Sequence, residues 1–311
     1  MGQFFAVFGD FSARQAGVLE ARLVEESTLE IKPFAFGFGA EVVGIDLSGT
    51  IPAEAATALD AALDAHTVLV FRSQNLGEDD QLRLADVFGG GALRSRADEK
   101  RAEATANARA IGLVTNIRKD GKPIGSLPDG ELFFHYDGAF IDEPYRATLL
   151  YAVEVPDTGG HTLFADMYRA FDALDPDTRD KLRGRTCLHY FDHVSYAKRA
   201  DPDPDLSTVR YARHPAVVAH PHTGRPALYV SPLQTARFEG LDGEESAALL
   251  TELFAYTENV DLIYEHIWQK GDLVIWDNWG TAHARTDFPA DQTRLLRRSI
   301  VRGRALSEAA F

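Results

Sequence analysis

Strand-forming segments are spread along this whole chain, and that spread restricts its fold more than any other feature. LEIKPF (29–34), GAEVVGIDL (39–47) and HTVLVFRSQ (66–74) read as short strands, with the Ala-rich EAATALDAALDA (54–65) between them as a helix. ATLLYAVEV (147–155) is a strong strand closed by the turn PDTGG. PAVVAHPHTGRPALYV (215–230) carries two strands about a His-Thr-Gly turn, a hairpin signature. IYEHIWQKGDLVIWDN (263–278) reads as another strand pair about a Lys-Gly turn, and LLRRSIVRG (295–303) as a last strand. MYRAFDALDPDTRDKLRG (167–184) supplies one or two helices, and DGEESAALLTELFAYTEN (242–259) an amphipathic one. Strands placed early, middle and late with helices inserted predict a β-rich sandwich or barrel core with helical decoration.

The domain reading is one body with an appendage. Residues 29–311 form the single predicted domain, and residues 1–28 an extension suited to contacts in a homo-oligomer. The stretch 94–109, RSRADEKRAEATANAR, is charged and poor in large apolar residues. It reads as an exposed helix or mobile loop, a lid hinged at Gly89, Gly90 and Gly91. A net charge of −15 argues against nucleic acid as a partner, because phosphate binding needs a basic footprint. It argues against an anionic membrane surface too. The one cysteine, Cys187 in RTCLHYF, excludes an internal disulfide framework and reads as a small buried hydrophobe. With no leader-like N-terminus and no apolar run near the roughly 18 residues that span a bilayer, the expected location is the cytoplasm.

Within this frame FFHYDGAF (133–140) is anomalous, because an apolar segment carries a histidine and an aspartate two positions apart. Side chains at i and i+2 of a strand share a face, so His135 and Asp137 project together. A neutral imidazole beside a carboxylate suits a divalent first-row metal, and equally a hydrogen-bonded pair that packs a sheet. With 10 histidines and 47 acidic residues, about one or two such tripeptides arise by chance, so the motif needs a third ligand.

That candidate is His283 in GDLVIWDNWGTAHARTDF, although a histidine there can also merely cap a turn. Two histidines and a carboxylate on a β scaffold form the facial triad of non-haem Fe(II) oxygenases, with positions left for a chelating co-substrate and O₂. Arg294 and Arg298, at an even offset in an apolar strand expected to return beside His283, share a face and call for carboxylate partners.

The ordered set GAEVVGIDL, VLVFRSQ, FHYD, YAVEVPDTGGHTLFADMYRAFDAL, HPHTGRPALYV, GDLVIWDN and HARTDF…RLLRR resembles the taurine dioxygenase / phenoxyacetate-herbicide dioxygenase (TauD/TfdA) family over about residues 29–304. The resemblance implies a double-stranded β-helix (jelly roll) and an Fe(II)- and 2-oxoglutarate-dependent dioxygenase. Such an enzyme uses O₂ to hydroxylate a C–H bond and releases succinate and CO₂. It implies iron on His135, Asp137 and His283, and the distal carboxylate of 2-oxoglutarate on Thr162 and Arg294. Arg298 matches a second arginine near the co-substrate and the anionic end of a substrate. The expected substrate is a small organic acid (carboxylate, aryloxyalkanoate or sulfonate) whose body lies against Phe134, Tyr136 and Phe140. Two departures argue against taurine itself. Glu131 and Phe134 replace the family's amide and tryptophan before the first ligand, and residues around 89–101 lack a sulfonate-binding histidine.

Two other classes fit the same residues: a Zn²⁺ hydrolase on the His₂Asp set, and a jelly-roll binding module that has lost turnover. His161 is expected to face away from Thr162, and His220 and His222 to be structural. Trp276 and Trp279 are expected in the core, with Asp277 and Asn278 bonding the turn backbone.

Overall fold

The computed structural model describes residues 29–35, 37–94, 105–192 and 196–311. The expected N-terminal arm and most of the expected lid lie outside the described residues. Eleven strands build two sheets. In chain order they are β1 (Glu30–Pro33), β2 (Ala40–Val43), β3 (Val68–Phe71), β4 (Gly112–Thr115), β5 (Leu132–His135) and β6 (Ala147–Glu154). There follow β7 (Thr162–Asp166), β8 (Ile263–His266), β9 (Leu273–Asp277), β10 (Thr281–Arg285) and β11 (Leu295–Val301). The larger sheet has the order β1-β2-β3-β9-β6-β11-β4, and the smaller β8-β7-β10-β5. Only the β2–β3 pairing in these two sheets is parallel. This is a jelly-roll core, as the resemblance implied.

Period-2 alternation decides what each face touches. Val68 and Val70 of β3 point inward with Val274, Trp276, Leu150 and Phe164, filling the space between the sheets. Leu69 and Phe71 point outward and are covered by the helices Ala53–His66 and Glu78–Ala85 through Leu59, Leu63 and Leu82. A strand apolar on both faces, VLVF, is what such a doubly covered position needs. The smaller sheet behaves likewise. Ala282 and Ala284 of β10 face outward, into a core shared with the helix Gly243–Thr257 and the hairpin Val217–Leu228.

Two expectations change here. IYEHIWQKGDLVIWDN is no hairpin: β8 pairs with β7, whereas β9 pairs with β3 and β6 in the other sheet. The turn between them, closed by Asp272 N–H on Gln269 O at 3.0 Å, carries the chain across the sandwich. The glycines 89–91 do not form a free hinge either. Gly91 O accepts Arg302 N–H at 3.0 Å, and a Cβ at Gly90 (φ 118°) would lie 2.5 Å from Arg302 O, so the segment is pinned to the end of β11. Among the described residues no helix is long and apolar enough to cross a membrane.

Candidate metal centre and its adjoining cavities

β5 and β10 are antiparallel neighbours whose register sets His135 opposite His283, with ring centroids 4.0 Å apart. Asp137 lies two residues past the end of β5, where Gly138 (φ 86°) turns the chain. One ligand atom from each of the three residues falls within 4.8 Å of the other two. All three side chains are buried. His135 Nδ1 lies 3.0 Å from the carbonyl oxygen of Phe133, which can only accept, so Nδ1 carries the proton and Nε2 is left bare. His283 Nδ1 is buried with no hydrogen-bond partner.

The charge states also suit a metal. Burial pushes both imidazoles below the ordinary histidine value, His283 well below it, which keeps them neutral. Burial pushes the Asp137 carboxyl up, but the Arg298 guanidinium and the Thr148 hydroxyl hold it well below the usual carboxylate range. Neutral imidazoles beside an ionised carboxylate are the protonation states that a divalent cation requires. The donor set therefore fits the metal that the sequence implied.

An inner recess of about 40 Å³ adjoins the triad and is lined by Thr162, His283, Arg294 and Arg298. Arg294 is 2% exposed. Its Nε donates to Gly160 O at 3.1 Å, while Nη1 is buried without a partner. A guanidinium held dry with an unused N–H calls for an anion. Thr162 Oγ1 accepts the indole N–H of Trp268 at 3.0 Å, so its own proton remains to be donated. A terminal carboxylate fits these two groups. Arg294 precedes β11, which pairs with β6 and β4, so both arginines reach the site from the sheet opposite His283 rather than from a strand beside it.

A wider cavity of about 270 Å³ is also lined by His135 and Asp137. Phe140, Phe191 and Tyr196 form an aromatic wall, with Phe140 and Phe191 stacked at 4.8 Å. Arg298 is its one arginine or lysine among the described residues, and its Nη1 stands 3.5 Å from Asp137 Oδ1.

Six of the expected site residues thus converge: His135, Asp137, His283, Thr162, Arg294 and Arg298. Phe140 reaches the cavity. Phe134 and Tyr136 do not, because alternation turns both into the outward core. There Tyr136 stacks on Tyr229 at 4.3 Å and donates its hydroxyl to Leu228 O. His161 faces away, as expected, and pairs with Glu265. Asp277 does bond the turn, accepting Trp279 N–H at 2.8 Å. Asn278 does not: it reaches Thr148, which donates to Asp137 Oδ2 at 2.7 Å. Neither residue is singled out for this role by a local pattern, since each is one polar residue in an apolar strand or at its end.

Comparison with known proteins agrees with this geometry. The taurine catabolism dioxygenase TauD, TfdA family profile matches residues 30–300. The chain is 34% identical to a pentalenolactone F synthase of Streptomyces avermitilis over 283 residues, covering 84% of this chain and 90% of that one. It is 30% identical to a (S)-phenoxypropionate/alpha-ketoglutarate-dioxygenase of Delftia acidovorans, covering 92% and 99%. The crystal structure of a taurine dioxygenase from Burkholderia xenovorans superposes with a TM-score of 0.73 at 25% identity, covering 90% and 93%.

Proposed function

The chain belongs to the TauD, TfdA dioxygenase family, and from that premise we propose a working part for each residue gathered above. It is an Fe(II)- and 2-oxoglutarate-dependent dioxygenase. His135, Asp137 and His283 hold the iron. When bound, Fe(II) supplies the O₂ chemistry that turns 2-oxoglutarate into succinate and CO₂ and delivers one oxygen atom to a substrate C–H bond. Arg294 and Thr162 bind the distal carboxylate of 2-oxoglutarate, the guanidinium as an ionic donor and the hydroxyl as a neutral one. Apolar walls exclude water from the recess, and fixed donors place the co-substrate against the metal.

The primary substrate is a small organic acid whose apolar body packs on Phe140, Phe191 and Tyr196 and whose anionic end approaches Arg298. A chain of net charge −15 repels anions at long range, so capture rests on a local cation, and Arg298 is the one arginine or lysine lining the cavity among the described residues. The observation that carries the whole reading is the buried, partly unpartnered guanidinium of Arg294 in a recess shared with His283. A hydrolase on the same triad has no use for it.

A panel of carboxylates, aryloxyalkanoates and sulfonates scored by succinate release tests the reading. Methyl esters or amides of a true substrate are expected to lose roughly 2–5 kcal/mol of transition-state binding, because the charge-assisted contact between the substrate anion and Arg298 is lost. Equal turnover of ester and parent acid would assign Arg298 to the co-substrate alone.

A further inference from the structure

Asp137 has two carboxylate oxygens, and a metal can take one or both. The backbone does not settle which, because Asp137 lies beyond the ladder of β5, in the turn at Gly138. Its surroundings do. Thr148 of β6 donates its hydroxyl to Oδ2 at 2.7 Å. Thr148 Oγ1 in turn accepts the side-chain N–H of Asn278 at 3.0 Å. Asn278 Oδ1 accepts the indole N–H of Trp276 at 2.9 Å.

An indole can only donate, so it fixes which end of the Asn278 amide is oxygen and which is nitrogen. That amide N–H then occupies the Thr148 oxygen, and the single hydroxyl proton is committed to the carboxylate. The chain Trp276, Asn278, Thr148, Asp137 therefore runs in one direction. Thr148 and Asn278 are fully buried, Trp276 is 1% exposed, and Thr148 and Trp276 are register partners on adjacent strands. No bulk water can replace a lost member. Oδ1 meanwhile is the oxygen near Arg298, which lines the cavity.

We infer that Thr148 and Asn278 are positioning residues that hold Oδ2 away from the metal and make Asp137 a one-oxygen ligand. The inference rests on the assignment of Asp137 to the metal. Its consequence is a coordination position. An ion held by these three protein donors would need its remaining positions for the chelating co-substrate and O₂. A carboxylate free to bind through both oxygens competes for one of them. Partners of this kind change metal affinity or activity by about 10–100-fold when removed.

Thr148→Val is nearly isosteric and has no donor, Thr148→Cys has a weak one and Thr148→Ser keeps the hydroxyl, so Thr148→Cys answers even if Thr148→Val does not fold. Each variant, with Asp137→Ala alongside, is titrated with Co(II), whose visible spectrum responds to coordination number, and the Co(II)-loaded protein is then titrated with 2-oxoglutarate. Thr148→Ser is expected to match the parent. Thr148→Cys and Thr148→Val are expected to bind 2-oxoglutarate progressively more weakly, by about 10–100-fold at the end of the series, with an altered Co(II) spectrum. A Thr148→Val protein with parental spectrum and 2-oxoglutarate affinity overturns the inference while Asp137→Ala still loses Co(II). If Asp137→Ala also keeps Co(II), the metal assignment itself has failed.

Discussion

Among the described residues two clusters bring histidine and carboxylate ligand atoms within 4.8 Å of one another: His135, Asp137 and His283, and the group Asp64, His220 and Asp277. By distance they are alike, and each draws on the same two residue types, two histidines and one aspartate in the first and one histidine and two aspartates in the second. Their hydrogen bonds differ. His220 Nδ1 accepts the backbone N–H groups of His222 and Thr223, so Nε2 carries the proton, which it donates to Asp277 Oδ2 at 2.6 Å. Asp64 is held by Arg146 at 2.7 Å and by His222 at 3.0 Å. Every ring nitrogen of His220 is used by protein. In the first cluster His135 keeps a bare Nε2, His283 has a buried Nδ1 without a partner, and a cavity lies alongside. Proximity of ligand types is thus common to a metal centre and a structural knot, and unspent lone pairs separate the two.

The comparison breaks most decisively at Asp137. Asp137→Ala is expected to abolish turnover and most Fe(II) or Co(II) binding, since it removes the one anionic ligand of its cluster; metal titration on the purified variant checks this. Near-parental metal affinity there would erase the distinction between the clusters. The next effect is at the recess. Arg294→Ala should weaken 2-oxoglutarate binding by about 2–5 kcal/mol while leaving the primary-substrate KM far less changed. An unchanged 2-oxoglutarate dependence would move the anchor to Arg298. The smallest effect falls on the second cluster. His220→Phe should lower stability by about 1–3 kcal/mol in thermal unfolding, because Asp277 loses a buried donor, with Co(II) affinity unaltered. A lost metal equivalent in that variant would show that the second cluster also binds.

Much of the first cluster was legible because its chemistry is local in sequence. His135 and Asp137 stand two residues apart, and His283 follows an ordered set of motifs. The arginines were legible as buried cations but not as to sheet, because LLRRSIV carries no mark of its strand partner. Phe134 and Tyr136 were misplaced for a simpler reason. They occupy the opposite parity from His135 and Asp137, and a strand with a core on each side hides both sets equally well. Thr148 and Asn278 were illegible because their role depends on a partner over a hundred residues away. The fold class was readable from strand spacing. The exchange of IYEH and LVIWD between sheets was not, since a Lys-Gly turn looks the same within a hairpin and across a sandwich.

That crossing has a consequence for how the protein comes to hold its ligands. The histidines and Thr162 belong to the smaller sheet, whereas Thr148 and Arg298 belong to the larger one, with Arg294 immediately before its strand β11. No half of the sandwich owns the site. 2-Oxoglutarate held between Thr162 and Arg294 would therefore act as a clamp across a seam: it would bind the docked sheets and neither sheet alone, and so draw the equilibrium away from any opened form. Cellular supply of 2-oxoglutarate would then govern how long the chain survives proteases as well as how fast it turns over.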